Sequence, residues 1–273
     1  MSELAKRILF AVPAAILALW LMWAGGIFFY AALIILVLFI QVEIEKVAEK
    51  AGFKPDQFFL YVIASWILLT LALPYAFEIG IALFLIFVVL QVLNTRTTHM
   101  QELIATIFCA GYAPFGLLFL VIIRNISPDQ TGFILTLSLF LMVWGNDVFA
   151  YFGGRYFGHR LLAPKISPSK TWEGIFFGLL GSVIGLLIVI FAVPVNYPFH
   201  WLLLLPSTLI VSAFSPMGDL AESRLKRAAQ VKDASSILPG HGGLFDRFDG
   251  MILAAPAFYL YIHCLSLAGY VIL

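Results

Sequence analysis

Asp219, Glu222, Ser223, Lys226 and Arg227 recur at i, i+3, i+4, i+7 and i+8, so a helix would carry them on one stripe. Their order puts a carboxylate deepest and the cations one to two turns nearer the helix end. Asp246 and Asp249 stand at i and i+3 where another apolar run opens, and can share a face. Oxygen ligands from Asp219, Asp246 and Asp249 would suit a hard cation such as Mg2+, leaving positions for substrate phosphates and water. Between the two groups runs Pro239-Gly240-His241-Gly242-Gly243, whose backbone N–H groups can approach an anion closely. Salt bridges among these acids and Lys226, Arg227 and Arg247 would explain paired charges, but they leave the glycines unexplained. His241 alone is more often a structural histidine than a catalytic one.

A second polar cluster begins with Asn146 and Asp147, which interrupt an apolar run, and Tyr151 follows Asp147 by four residues on the same face. An aspartate facing lipid costs ~2.5–3.5 kcal/mol on insertion scales, so Asp147 is expected to point inward. The segment after it carries Gly153, Gly154, Arg155, His159, Arg160, Ser167, Ser169, Lys170, Thr171 and Gly174. Glycines, hydroxyls and cations together suit a phosphate-bearing ligand. The plain alternative is a cytoplasmic loop kept inside by its positive charge.

The elements that hold these residues follow from composition. The chain of 273 residues is 62% hydrophobic and 11% charged, with 26 Phe and 6 Trp. Charged residues supply about a quarter of a soluble chain, so this is an integral membrane protein. Lipid-exposed backbone must satisfy its own hydrogen bonds, which favours helices, and the alternation needed by a β-barrel is missing from residues 81–90. Apolar windows of ~20 residues place helices near 8–24, 27–42, 58–73, 77–93, 103–123, 133–152, 175–193, 199–214 and 251–271. The fold expected is all-α, with about nine transmembrane helices.

With nine crossings, fifteen of the sixteen Lys and Arg residues fall on one side, and Arg124 is the exception. The positive-inside rule then puts the amino terminus in the cytoplasm and the carboxyl terminus outside. The outer loops at 74–75 and 194–198 are short and almost uncharged, so chemistry belongs on the cytoplasmic face. Residues 43–54 carry Ile44, Val47, Ala48 and Ala51 at helical spacing. They form either an interfacial amphipathic helix, or an extension of the second span, or a solvated charged face. Residues 1–130 are expected to be scaffold, with a homodimer contact through the less charged spans, and 131–273 to be the catalytic region. Cys109 and Cys264 sit in apolar runs as packing residues, and zinc, nucleophile-elbow and Walker signatures are missing from the sequence.

One long run resembles the hallmark of the phosphatidate cytidylyltransferases, also called CDP-diacylglycerol synthases. It comprises Ser223, Leu225, Lys226, Arg227, Lys232, Asp233, Ser235, Leu238, His241, Gly242, Gly243, Leu244, Asp246, Arg247, Phe248 and Asp249. Similarity extends back through Gly218-Asp219-Leu220 and Glu222, through Asn146-Asp147, Ala150-Tyr151 and Gly154-Arg155, and through Leu162-Ala163-Pro164 and Lys170-Thr171-Trp172-Glu173-Gly174. It covers roughly 144 to 250, and the amino-terminal half is similar only as a bundle of spans. His159 and Ser169 depart from the lysines often found there. The resemblance implies transfer of a cytidylyl group from CTP to phosphatidate, giving CDP-diacylglycerol and pyrophosphate at the inner membrane. It implies Mg2+ on Asp219, Asp246 and Asp249, with a second cation, divalent or monovalent such as K+. Lys226, Arg227, Lys232 and Arg247 would neutralise phosphates, and Ser223, His241, Gly242 and Gly243 would orient them. Asn146, Asp147 and Lys170 would complete the cleft. The partners expected are CTP, phosphatidate and membrane lipid, with no nucleic acid. Two other classes fit parts of the pattern: a CTP-dependent kinase of a lipid alcohol, and a transporter of a phosphorylated solute, whose discontinuous mid-bilayer helices are not evident.

Overall fold

Apolar stretches this long have one way to pair their backbone without water, and they fold as helices. A computed structural model of the chain describes residues 3–93, 100–127, 130–193, 200–237 and 242–270. Among these residues are nine α-helices, one for each apolar run: α1 (Glu3–Ala24), α2 (Gly26–Lys50), α3 (Gln57–Leu69), α4 (Ala76–Leu93), α5 (Met100–Arg124), α6 (Thr131–Phe157), α7 (Trp172–Ala192), α8 (Leu205–Ala228) and α9 (Phe245–Leu267). A 3-10 turn, Trp201–Leu204, leads into α8. Six of the helical segments are long and apolar enough to cross a membrane; α1, α3 and α4 contribute the shorter apolar stretches Val12–Ala24, Gln57–Leu69 and Glu78–Phe87. Arg96, His99, residues 194–198 and residues 238–241, His241 among them, lie outside the described residues.

Several helices run past the ends that hydropathy suggests. α2 continues to Lys50, which makes residues 43–50 an extension of the second span, and α6 continues to Phe157 instead of stopping at 152. α8 carries its charged stripe to Ala228, and α9 starts at Phe245. In α2, α8 and α9 a charge ends the apolar window, but it does not end the i→i−4 hydrogen-bond ladder when a polar partner meets it. In α6 the window ends at Gly153 and Gly154, which stay helical against Phe177 and Thr171. Between α6 and α7 the chain forms a small antiparallel hairpin, β1 (Leu161–Ala163) and β2 (Ser167–Thr171), which pairs Leu161 with Thr171 and Ala163 with Ser167. The all-helical expectation had this segment as loop.

Glycine sets the distances between the helices that matter. A Cβ on Gly181 would stand 2.1 Å from the carbonyl oxygen of Gly145, and one on Gly185 2.2 Å from that of Leu141, so α6 and α7 touch backbone to backbone. Gly153, expected to serve a phosphate loop, is instead a helical residue packed on Phe177. The far face of α7 presents Trp172, Phe176, Leu180, Ile188 and Phe191 outward. α8 and α9 cross where a Cβ on Gly218 would meet the Asp249 carbonyl oxygen at 2.2 Å and one on Gly250 the Ser215 hydroxyl at 2.5 Å. α5 packs against α2, α3 and α9, and α2 reaches α8 and α9. The core runs between them through Val37, Ile40, Leu117, Leu135, Met142 and Phe258.

Arg124, the cation set apart from the others, has a local employment. Its Nε donates to the Met22 carbonyl and its Nη2 to the Trp23 carbonyl at 2.9 Å, closing the last turn of α1. The turn from α1 to α2 uses Gly25 and Gly26 at φ 61° and 49°, a region that favours glycine.

Candidate active site

The crossing at Gly218 and Gly250 lays the polar stripe of α8 along the first turns of α9. Asp219, Glu222 and Asp249 then offer carboxylate oxygens that all lie within 4.8 Å of one another. Two of the three acids expected to hold a metal are in this group, and Glu222 stands where Asp246 was expected. Asp246 is occupied otherwise. Its oxygens accept from the Lys226 ammonium at 2.6 Å, the Gly243 N–H at 2.7 Å and the Ala234 N–H at 3.0 Å. Lys226 also pairs with Glu222 Oε2 at 2.8 Å, so one ammonium links α8 to the head of α9. Glu222 is 1% exposed, and its Oε1 has no hydrogen-bond partner among the described residues. Buried oxygens are rarely left so. An orphaned carboxylate oxygen beside two further carboxylates fits a cation held by oxygen ligands.

The hairpin delivers the next cation. Lys170 on β2 pairs with Asp219 Oδ2 at 2.6 Å and donates to the Pro216 carbonyl at 3.3 Å. Its neighbour Thr171 accepts the Gly174 N–H at 3.1 Å and caps α7, while Glu173 accepts the N–H groups of His159 and Arg160 at 3.1 and 3.2 Å. The hairpin turn is braced by Arg227, whose Nε donates to the Ile166 carbonyl at 3.3 Å. Arg227, expected at a phosphate, thus contributes part of its fork to holding Lys170's strand. Ser223 donates to Asp219 Oδ1 at 3.2 Å. Lys232 and Arg247 are exposed.

The α6 residues divide. Asp147 accepts from Ser215 at 3.5 Å and feels the charges of Asp219, Lys170 and Arg247, which places it at the cleft. Asn146 is 0% exposed and packs on Gly178, with no hydrogen-bond partner among the described residues. It stands behind the cleft wall, at the α6–α7 seam. Gly242 has φ 82°, and a Cβ there would meet Asp246 Oδ2 at 2.8 Å. The Gly243 N–H, expected to meet phosphate, serves Asp246.

Two residues escaped the sequence reading. Tyr112 on α5 buries a hydroxyl with no hydrogen-bond partner among the described residues and lies within electrostatic reach of Asp249 and Glu222. A tyrosine inside an apolar run carries no signal of that. Glu43 reaches the start of α9 from the buried face of α2. Its signal was available: it is three residues after Ile40 and four before Val47, on the stripe that is buried.

The family model described as "Cytidylyltransferase family" matches residues 5–265. The phosphatidate cytidylyltransferase of Brucella abortus is 36% identical over 265 residues, covering 96% of this chain and 94% of the relative. That of Bacillus subtilis is 34% identical over 280 residues, covering 97% and 100%. That of Haemophilus influenzae is 43% identical over 139 residues, covering 49% of this chain and 48% of the relative.

Proposed function

The chain belongs to the cytidylyltransferase family, and from that premise we propose that it transfers the cytidylyl group of CTP to phosphatidate, releasing pyrophosphate and leaving CDP-diacylglycerol in the membrane. The observation that carries this reading is the gathering of Asp219, Glu222 and Asp249 within 4.8 Å, with Lys170 and Lys226 paired to two of them. An oxygen of the lipid phosphate forms a bond to the α-phosphorus of CTP as the bond from that phosphorus to the bridging oxygen breaks. The electron pair leaves with pyrophosphate. The nucleophile is already an anion, so the barrier lies in bringing anions together, and catalysis is positioning and charge neutralisation.

Asp219, Glu222 and Asp249 would hold Mg2+, which supplies charge neutralisation at the nucleotide phosphates and the departing pyrophosphate. A second cation, divalent or K+, belongs to the same reading. Lys170 and Lys226 orient the carboxylates and face the phosphates; Arg227, Lys232 and Arg247 extend the positive rim, with Ser223 and Gly242 beside it, and His241 keeps the phosphate-orienting role that the family resemblance implies. Asp246 fixes Lys226, and Asp147 closes the cleft from α6. The reading includes nine crossings, a cytoplasmic amino terminus, an active site at the inner face of the cytoplasmic membrane, and a homodimer through residues 1–130. Phosphatidate enters sideways with its acyl chains in lipid, and CTP arrives from the water.

Purified protein in detergent, given CTP, phosphatidate and Mg2+, is expected to release pyrophosphate, and chelation of the metal to silence the release. Pyrophosphate release that does not depend on phosphatidate would contradict the assignment.

A further inference from the structure

α9 starts without a side-chain cap of its own, since Leu244 occupies the N-cap position. The acceptor comes from α2, 201 and 202 positions earlier in the chain. Glu43 Oε1 accepts the Leu244 N–H at 3.1 Å and the Ser235 hydroxyl at 2.5 Å, and Oε2 accepts the Phe245 N–H at 2.6 Å. A carboxylate at this place meets both the unpaired N–H groups and the positive end of the helix dipole. The side chain is 1% exposed, with Ile40, Ile44 and Val47 each at 1% or less along the same face of α2. Gly243 leaves it room: a Cβ there would stand 2.7 and 2.8 Å from the two oxygens. Immediately beyond these bonds come Asp246, which holds Lys226, and one turn later Asp249 of the acidic group.

We infer that Glu43 is a positioning residue for the cation-binding carboxylates: it anchors Ser235 and the first turn of α9, so that Asp249 meets Asp219 and Glu222. The inference rests on reading that group as the cation site of the transferase. It has a corollary for substrate: the Leu244 and Phe245 N–H groups are occupied by Glu43, so these two do not donate to nucleotide phosphates.

The test is Mn2+ binding to nucleotide-free protein in detergent, followed by electron paramagnetic resonance. Glu43→Gln sets an amide NH2 against donors that need an acceptor. It is expected to weaken Mn2+ binding by ~10-fold or more, the scale of outer-shell changes at metal sites. The Mg2+ needed for half-maximal turnover should rise in proportion, with the KM for phosphatidate unchanged. Ser235→Ala removes one bond and keeps the carboxylate, and about a threefold weakening is expected. Mn2+ affinity of Glu43→Gln within twofold of the parent overturns the inference. Should that variant fail to survive extraction, unchanged Mn2+ binding by Ser235→Ala overturns it instead. A parent protein that binds Mn2+ without making CDP-diacylglycerol defeats the proposed reaction while the positioning role stands or falls on the variants; a parent that binds no Mn2+ defeats both.

Discussion

Lys226 lies between Glu222 at 2.8 Å and Asp246 at 2.6 Å, with side-chain exposures of 12%, 1% and 6%. Removing one partner of an enclosed charge group costs about 3–5 kcal/mol, because the carboxylates left behind have neither water nor a cation. Lys226→Met should therefore lower the thermal midpoint of the detergent-solubilised protein markedly. The double variant Glu222→Gln with Lys226→Met should regain part of that midpoint and none of the turnover; equal midpoints for the single and double variants would contradict the pairing. Asp249→Asn removes a ligand and is expected to cut CTP-dependent turnover by about 100-fold or more, at or beyond the upper end of what outer-shell changes at a metal site cost, with solubility and folding retained. Wild-type turnover in that variant would remove Asp249 from the site. Spacing alone displayed the stripe from Asp219 to Arg227 and the pair Asp246 and Asp249. It did not tell which acids converge, because that depends on where α8 crosses α9, and Gly218 and Gly250 decide it. Glu43 stayed hidden for a related reason. Its place on the stripe of Ile40 and Val47 marks it as buried, but its bonds span about 200 positions of sequence, and nothing nearby in the chain names the partner.

At the scale of elements, the α6–α7 seam positions the hairpin and hence Lys170. Gly181 leaves no room for a side chain: its Cβ would stand 2.1 Å from the Gly145 carbonyl oxygen, backbone that has nowhere to go. Gly181→Val is expected to destabilise by about 1–3 kcal/mol or more, as overpacking does, and to lower activity through displacement of Lys170. Leu180→Ala, next in sequence but 54% exposed on the outward face, should leave the midpoint nearly unchanged. Thermal unfolding in detergent compares the two, and equal effects would contradict the seam. The hydropathy of α6 was plain in the sequence, but its end was not. Gly153 and Gly154 look like loop residues, yet they are the small contacts that let α6 continue beside Phe177 and Thr171. The hairpin gave no alternating pattern of apolar residues to find: β2 is Ser-Pro-Ser-Lys-Thr.

For the whole molecule, nine apolar runs became nine helices among the described residues, because a backbone in lipid has few other ways to pair. The proposed topology puts Lys50 on the cytoplasmic side and Tyr75 outside. Of the two free cysteines, Cys109 is buried and Cys264 exposed, so Cys264→Ser supplies the background. In right-side-out vesicles an impermeant maleimide should label Tyr75→Cys directly and Lys50→Cys only after permeabilisation; the reverse pattern would invert the topology and move the chemistry to the wrong face. The central claim is that the α-phosphorus of CTP is the atom attacked. Incubation with phosphatidate, Mg2+ and CTP labelled at either the α- or the γ-phosphorus tests it most directly. The account predicts that the α-label appears in lipid and the γ-label in pyrophosphate. Lipid that carries the γ-label would make the protein a kinase and contradict the account.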